Sequence, residues 1–257
     1  VFRGKDERHF HPVAPFFYTF LIIKKFHFYS ECSIAPSAIK INLLGYSAKL
    51  KYLEFFYPVV TSALTTINTL KQPTSSAWVE QAIANLDIIL LDHSHCERKA
   101  AGVALNFMFR YPSNTKMVRE LTAIAREELE HFELVNQWLE RRNIPLAPLP
   151  PPPYGAGLKA QVRPQEPERF LDSLLVTGLI EARSHERLGL LATHCPEPEL
   201  ARFYHGLMAS EARHFGTYWV LADTYFDRET VINRLDELAI IESQLLATLH
   251  SEPRIHS

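Results

Sequence analysis

The sequence predicts an all-α fold: a four-helix bundle with a long crossover and an additional C-terminal helix. Three observations carry this. From about residue 71 to residue 250 the apolar positions recur at helical spacing, and no stretch alternates as a strand does. A proline-rich break, "IPLAPLPPPPYGAG" at residues 144–157, divides the helical text into two halves. Each half then reads as two long helices joined by a short turn. At 47% hydrophobic and 22% charged residues, the chain of 257 residues has ample material for a core.

The elements follow in order. "TSSAWVEQA" resembles a helix start, with Ser75 or Ser76 able to cap and Glu80 near the early amides. The first long segment runs from about 86 to 110 and stops before Pro112. The second spans about 115 to 141 and ends in Arg141 and Arg142, cations suited to a helix C-terminus. The break at 144–157 is expected to be a polyproline II crossover, because prolines lack amide donors and restrict the residue before them. The third segment, about 167 to 191, has Pro167 near its first turn; the fourth covers about 196 to 225 and the fifth about 228 to 250. Two hairpins joined by one long crossover is the connectivity of ferritin-like bundles.

Charged residues interrupt the apolar faces at matching places. Leu90, Ser94, Glu97, Ala101, Ala104 and Met108 share one face of the first long helix. On the second, Leu121, Ile124, Glu128, His131, Val135 and Trp138 fall along one side. The third carries Glu181, and the fourth carries Glu211 and His214. Glu97 precedes Glu128 by 31 residues and Glu181 precedes Glu211 by 30, so each half is a lone glutamate, a turn, then Glu-x-x-His. A carboxylate facing a dry core is costly without a partner. Two helices giving Glu and two giving Glu-x-x-His is the ligand set of dimetal carboxylate bundles. Four carboxylates and two imidazoles suit iron or manganese, and two divalent cations cancel the charge of four glutamates.

Neighbouring polar residues receive simpler readings. Glu127 and Glu130 are expected to face solvent, and Glu186 to face away from Glu181. His93 and His95 flank Glu97 and are candidates to donate to a ligand carboxylate, but the expected reading is solvent-facing or satisfied helix histidines. Asp92 is a candidate to orient a ligand histidine through its second ring nitrogen, while Cys96 reads as ordinary packing.

The stretches "AWVEQAIANLDIILLDHSHCERKAA", "LTAIAREELEHF", "EPERFLDSLLVTGLIEARSHERL" and "FYHGLMASEARHF" together resemble the tRNA-(2-methylthio-N6-isopentenyl-adenosine) hydroxylases, ferritin-like non-haem di-iron monooxygenases. The likeness covers about residues 67 to 248. Generic ferritin-like proteins share the ligands but not "GLIEARSHER" beside "SEARHF". The resemblance implies that Glu97, Glu128, His131, Glu181, Glu211 and His214 are the metal ligands and the catalytic centre. It implies two iron ions as cofactor, O2 as co-substrate, and hydroxylation of the isopentenyl side chain of 2-methylthio-N6-isopentenyl-adenosine in the tRNA anticodon loop. Electrons would come from an external donor, a reductase or ferredoxin, since the sequence offers no flavin fingerprint or iron–sulfur cysteine set. The alternative is another ferritin-like di-iron protein, such as a ferroxidase or iron-storage protein; a structural bundle with a vestigial site ranks third.

The remaining sequence gives fewer signals. Net charge is −2, which does not announce a nucleic-acid binder, and no RNA-binding motif is present. Between 141 and 170, Arg141, Arg142, Lys159, Arg163 and Arg169 outnumber Glu166 and Glu168, so the crossover is a candidate RNA contact, with Tyr154 as a stacking group. Cys32, Cys96 and Cys195 are scattered, which fits a reducing cytoplasm and excludes zinc-ribbon or rubredoxin-like sites. Residues 1–65 read as an N-terminal extension of unknown role, ahead of a 66–257 ferritin-like hydroxylase domain. Its apolar run "PVAPFFYTFLII", residues 12–23, is too short to span a bilayer and lacks the flanks of a signal peptide. No stable membrane association is expected, and the oligomeric state is expected to be a monomer or small homo-oligomer.

Overall fold

The structure, a computed structural model, describes residues 69–257, all within the larger of two compact units, Lys49–Ser257. The apolar run at 12–23 and the predicted boundary at 66 lie outside the described residues. Among the described residues every regular element is a helix: α1 Ser76–Ala84, α2 Leu86–Arg110, α3 Thr115–Arg141, α4 Pro153–Lys159, α5 Glu168–His194, α6 Pro198–Tyr225 and α7 Arg228–Leu245. The all-α, ferritin-like expectation holds. No helix among them is long and apolar enough to cross a membrane.

Local chemistry sets most helix ends. Ser75, rather than Ser76, caps α1, its hydroxyl accepting from the Trp78 amide at 3.2 Å. Asn85 ends α1 and starts α2, so the two meet at a bend. α3 ends in a Schellman turn. Asn143 takes a left-handed φ of 55°, its amide reaches the Glu140 carbonyl at 3.0 Å, and the Ile144 amide reaches that of Leu139 at 2.9 Å. Pro198 occupies the first turn of α6, where its missing amide costs nothing. Asp227 caps α7 by accepting from the Thr230 amide at 3.1 Å.

Two sequence expectations need correction here. The crossover is not extended throughout: Pro152 is extended at φ −68° and ψ 161°, but Pro153 begins the short helix α4. A proline at the first helical position is compatible with helix, because the amide it lacks would have no acceptor within the helix there. The last helix ends at Leu245 and not near 250. The chain beyond it folds back so that Arg254, Ile255, His256 and Ser257 are buried.

α2 packs along α3 as one hairpin and α5 along α6 as the other. α7 lies against α4, α5 and α6. Apolar side chains form two separate clusters. One contains Phe107, Leu121, Ile124, Leu174, Tyr218, Leu221 and Leu235. The other contains Trp78, Ile89, Val135, Leu139, Leu188, Tyr204 and Leu207. In every long helix the residues between these clusters include the glutamates and histidines singled out above, so the polar belt is sandwiched between two dry layers. Each large apolar side chain in those layers contributes about 1.5–3 kcal/mol, which offsets the cost of the belt.

A second buried charge holds α7. Glu242 is fully buried and accepts from Arg183 Nε at 2.8 Å, Arg183 Nη2 at 2.9 Å and Tyr154 at 3.1 Å. Arg183 is itself buried. Removing one partner of such a pair leaves the other unpaired in the interior. Glu242→Ala is expected to lower stability by about 3–5 kcal/mol, read as a fall in the urea midpoint; an unchanged midpoint would show that the pair contributes nothing.

Candidate metal centre

The bundle brings all six predicted residues together. Glu97 comes from α2, Glu128 and His131 from α3, Glu181 from α5, and Glu211 and His214 from α6, and all six are buried. They form two overlapping groups. In the first, one atom each from Glu97, Glu128, His131 and Glu211 lie within 4.8 Å of one another; in the second, Glu128, Glu181, Glu211 and His214 do so. Glu128 and Glu211 belong to both groups. This is what two neighbouring cations require: two carboxylates shared, and one glutamate and one histidine for each ion.

Distances inside the cluster are short. His131 Nδ1 lies 3.4 Å from Glu97 Oε2, and 3.9 Å from both Glu128 Oε2 and Glu211 Oε1. His214 Nδ1 comes within 2.7 Å of Glu128 Oε1, without the angles of a hydrogen bond. Glu128 Oε1, His131 Nδ1, Glu211 Oε1 and His214 Nδ1 are all buried without a hydrogen-bond partner. Four inward-facing lone-pair atoms left unsatisfied at one point are costly in a bare protein. The donor set fits cations that prefer oxygen and imidazole nitrogen, such as iron or manganese.

Electrostatics agree with the geometry. Burial, followed by the charges of Glu181, Glu211 and Glu97, pushes the Glu128 carboxyl far above its ordinary range. Burial and the Glu211 charge raise Glu181, and burial and the Glu97 charge raise Glu211. Glu97 differs: burial opposes its ionisation, but the imidazoles of His93 and His131 close beside its two oxygens hold it below the usual carboxylate value. Burial disfavours the His131 imidazolium, and the Glu97 carboxylate outweighs it and raises the pKa. Without cations, Glu128 and Glu181 therefore hold protons where cations would sit.

The surroundings correct several expectations. Glu127 does not simply face solvent: it is half-buried, and its Oε2 accepts from His214 Nε2 at 2.9 Å. This places the His214 proton on Nε2 and leaves Nδ1 free to face the cluster. The hydrogen bond from His214, helped by Arg213, lowers the Glu127 pKa to about 2 despite partial burial. Asp92, the predicted orienter, instead accepts from the Ile255 amide at 2.7 Å and so pins the chain's final residues to α2. His93 is buried with its Nε2 2.5 Å from Glu97 Oε1, so it adjoins the cluster rather than solvent. His95 is a satisfied helix histidine, its Nε2 2.8 Å from the Ala147 carbonyl. Glu186 faces away as expected, accepting from the Thr74 amide at 2.8 Å. Cys96 is packed 3.8 Å from both Asp92 Oδ2 and His256 Nδ1.

Sequence signals for His93 and Glu127 existed. His93 precedes Glu97 by four positions, one helical turn, and so shares its face. Glu127 sits beside Glu128 on a helix whose neighbour, α6, brings His214 close enough to reach it. Glu127→Ala is expected to weaken metal affinity by about 10–100-fold, measured by competition with a chelator. Glu130→Ala, at an exposed site, is expected to leave that affinity unchanged.

The basic crossover is less available than its composition suggests. Arg142 is held by Asp87 and Glu197, each at 2.7 Å, and Arg163 by Asp172 at 2.8 Å. Tyr154 is buried, stacked on His256 with ring centroids 5.2 Å apart, and cannot stack on a base. Arg141 lies over the Trp138 ring at 5.2 Å.

Known proteins place this arrangement. Residues 61–257 match the family described as tRNA-(MS[2]IO[6]A)-hydroxylase (MiaE). The tRNA 2-(methylsulfanyl)-N(6)-isopentenyladenosine(37) hydroxylase of Pseudomonas putida is 40% identical over 185 residues, covering 72% of this chain and 90% of that protein. The protein of the same name from Salmonella typhimurium is 29% identical over 268 residues, covering 85% of this chain and 97% of its own. Among solved structures, "Protein 43 with aldehyde deformylating oxygenase activity from Synechococcus" superposes with a TM-score of 0.72 at 52% identity. It covers 73% of this chain and 95% of that one. The match spans the whole described bundle and every residue of the cluster, and the chain belongs to the tRNA-(MS[2]IO[6]A)-hydroxylase (MiaE) family.

Proposed function

We propose that this chain is a dimetal monooxygenase that hydroxylates the isopentenyl side chain of 2-methylthio-N6-isopentenyl-adenosine in the anticodon loop of tRNA. The observation that carries the reading is the pair of overlapping ligand groups sharing Glu128 and Glu211, in a protein whose family and curated relatives are named for that hydroxylation. Glu97 and His131 would complete one site, and Glu181 and His214 the other. Iron is the ion that suits both the donors and the reaction, and when bound it would supply the activation of O2. The reaction consumes one O2, two electrons and two protons. One oxygen atom enters a C–H bond of the isopentenyl group and the other leaves as water.

The protein's own contribution is positional. The apolar layers on either side of the belt exclude water, so that the oxidising step is spent on substrate rather than on solvent. The four carboxylates would balance the charge of two bound divalent cations in that dry setting, and Glu127 fixes the ring of His214. The two electrons come from a separate reductase or ferredoxin, because three scattered cysteines cannot hold an iron–sulfur cluster. The cytoplasm, where tRNA is found, is the compartment this activity needs.

The Synechococcus protein supports a second reading, oxygen-dependent deformylation of an aldehyde at the same centre. The two are separated by giving iron-loaded protein, O2 and a reducing system either prenylated tRNA or a long-chain aldehyde. The nucleosides are then analysed by mass spectrometry and the aldehyde by gas chromatography. A gain of one oxygen on the prenylated adenosine is expected. Unchanged tRNA together with consumption of the aldehyde would replace this reading with the second, and mineral loading into a large shell would replace both with iron storage.

A further inference from the structure

α3 and α6 part on one side of the bundle to leave a cleft of about 430 Å³ that reaches the cluster at His131. Leu134 and Leu207 line its inner part; Phe203, Gly206, Arg202 and Arg213 line its α6 wall and rim. No other residue of the six lines it. The volume falls in the range of small-molecule sites.

The lining says what the cleft can take. Its charges cancel: Arg202 and Arg213 face Glu127 and Glu130. Arg213 is already committed to Glu127. The interior is thus suited to a neutral group, and a bare phosphate cluster would find little net attraction there. Arg202 is exposed and makes no ion pair among the described residues, so it remains free at the rim for an anion. Phe203 is half-buried, held against Trp138 with centroids 5.8 Å apart and against Tyr204 at 5.6 Å. A ring fixed by two aromatic neighbours, with another surface on the cleft, is a preformed stacking platform for a base. At Gly206 the wall carries no side chain, and a Cβ added there would meet nothing within 4 Å.

Resting on the proposed function, we propose that this cleft is the entrance for the modified nucleotide. The purine stacks on Phe203, its apolar N6 side chain passes Leu134 and Leu207 toward His131, and a flanking phosphate meets Arg202. A flipped-out loop base with an apolar arm fits a neutral, aromatic-walled cleft with one free cation at its mouth.

Gly206→Phe tests this by filling the cleft from a position with room for the new side chain. Gly102→Phe is the control, because Gly102 is also exposed in mid-helix with nothing within 4 Å of an added Cβ, but lies on α2 away from the cleft. For Gly206→Phe, binding of a prenylated anticodon stem–loop, read by fluorescence anisotropy, is expected to weaken at least about 10-fold, with KM rising in step. Metal content and melting temperature should match those of Gly102→Phe. Phe203→Leu should weaken binding by about 10-fold, and Arg202→Ala should lower the slope of log affinity against log salt by about one. If wild type hydroxylates the RNA and Gly206→Phe does so with unchanged KM, the cleft assignment is overturned while the function stands. If wild type ignores RNA and Gly206→Phe abolishes aldehyde deformylation, the cleft admits alkyl chains and the nucleotide assignment is overturned together with the proposed function.

Discussion

Glu128→Ala is expected to abolish tight binding of both metal ions, whereas Glu97→Ala is expected to leave one. The difference follows from membership: Glu128 serves both ligand groups, while Glu97 serves only the group that includes His131. After Glu97→Ala, the four residues Glu128, Glu181, Glu211 and His214 still converge on one point. Oxygen insertion should fall by on the order of 10³-fold or more in either variant, since residues that act as a unit fail together. Stability of the metal-free protein should move the other way for Glu128→Ala. That carboxyl is buried with its Oε1 unpartnered, so its removal relieves the cost of an unsatisfied polar group in the interior. Metal analysis and calorimetry on the two variants check both statements. Equal metal content in the two would contradict the shared role of Glu128.

Metal loading itself should produce the largest shift in melting temperature. At a free metal concentration about 1,000 times Kd, binding stabilises the fold by about 4 kcal/mol. For a domain of this size each kcal/mol is worth roughly 2–4 °C, so a rise of about 8–16 °C is expected. The effect should grow with pH. Burial and the neighbouring glutamates push Glu128 and Glu181 well above the ordinary carboxylate range in the metal-free fold, so each retains a proton that the unfolded chain releases. Stability from such groups is fully present below the ordinary carboxylate pKa and is lost as pH rises. The metal-free protein should therefore melt lower at about pH 8 than at about pH 6. Loaded protein has already exchanged those protons for cations and should change less. Glu127 and Glu97 are shifted the opposite way, and their contributions disappear only below the usual carboxylate range, outside this window. Calorimetry of metal-free and iron(II)-loaded protein under anaerobic conditions reads the gap at both pH values. A gap that stays constant or narrows as pH rises would contradict the protonated state assigned to the empty cluster.

The ligand constellation was legible because helical spacing converts directly into direction. Glu97, Glu128 and Glu211 interrupt apolar stripes, and a histidine three positions on must lie over the same turn. The four long helices were legible for the same reason, since each must bury one face. What failed depended on contacts between segments distant in sequence. Glu127 looked like a surface acid because its partner, His214, lies 87 positions away on α6. Asp92 looked like a ligand orienter, but the amide it serves belongs to Ile255, brought back to α2 by the fold. The crossover read as a charged, open loop. In the structure Asp172, Asp87 and Glu197 neutralise two of its arginines, and Glu242 and His256 draw Tyr154 inside. Local composition records charge, whereas availability depends on which opposite charge the fold delivers.

The most direct measurement is incorporation of heavy oxygen. Iron-loaded protein, a reducing system and prenylated tRNA are incubated under isotopically heavy O2 in ordinary water, and the tRNA nucleosides are examined by mass spectrometry. One heavy oxygen atom is expected on the isopentenyl group of the modified adenosine, in wild type and in Gly102→Phe but not in Glu128→Ala. Light oxygen in the product would show that the added atom comes from water. Label appearing equally with Glu128→Ala would show that the buried cluster is not the oxidising centre.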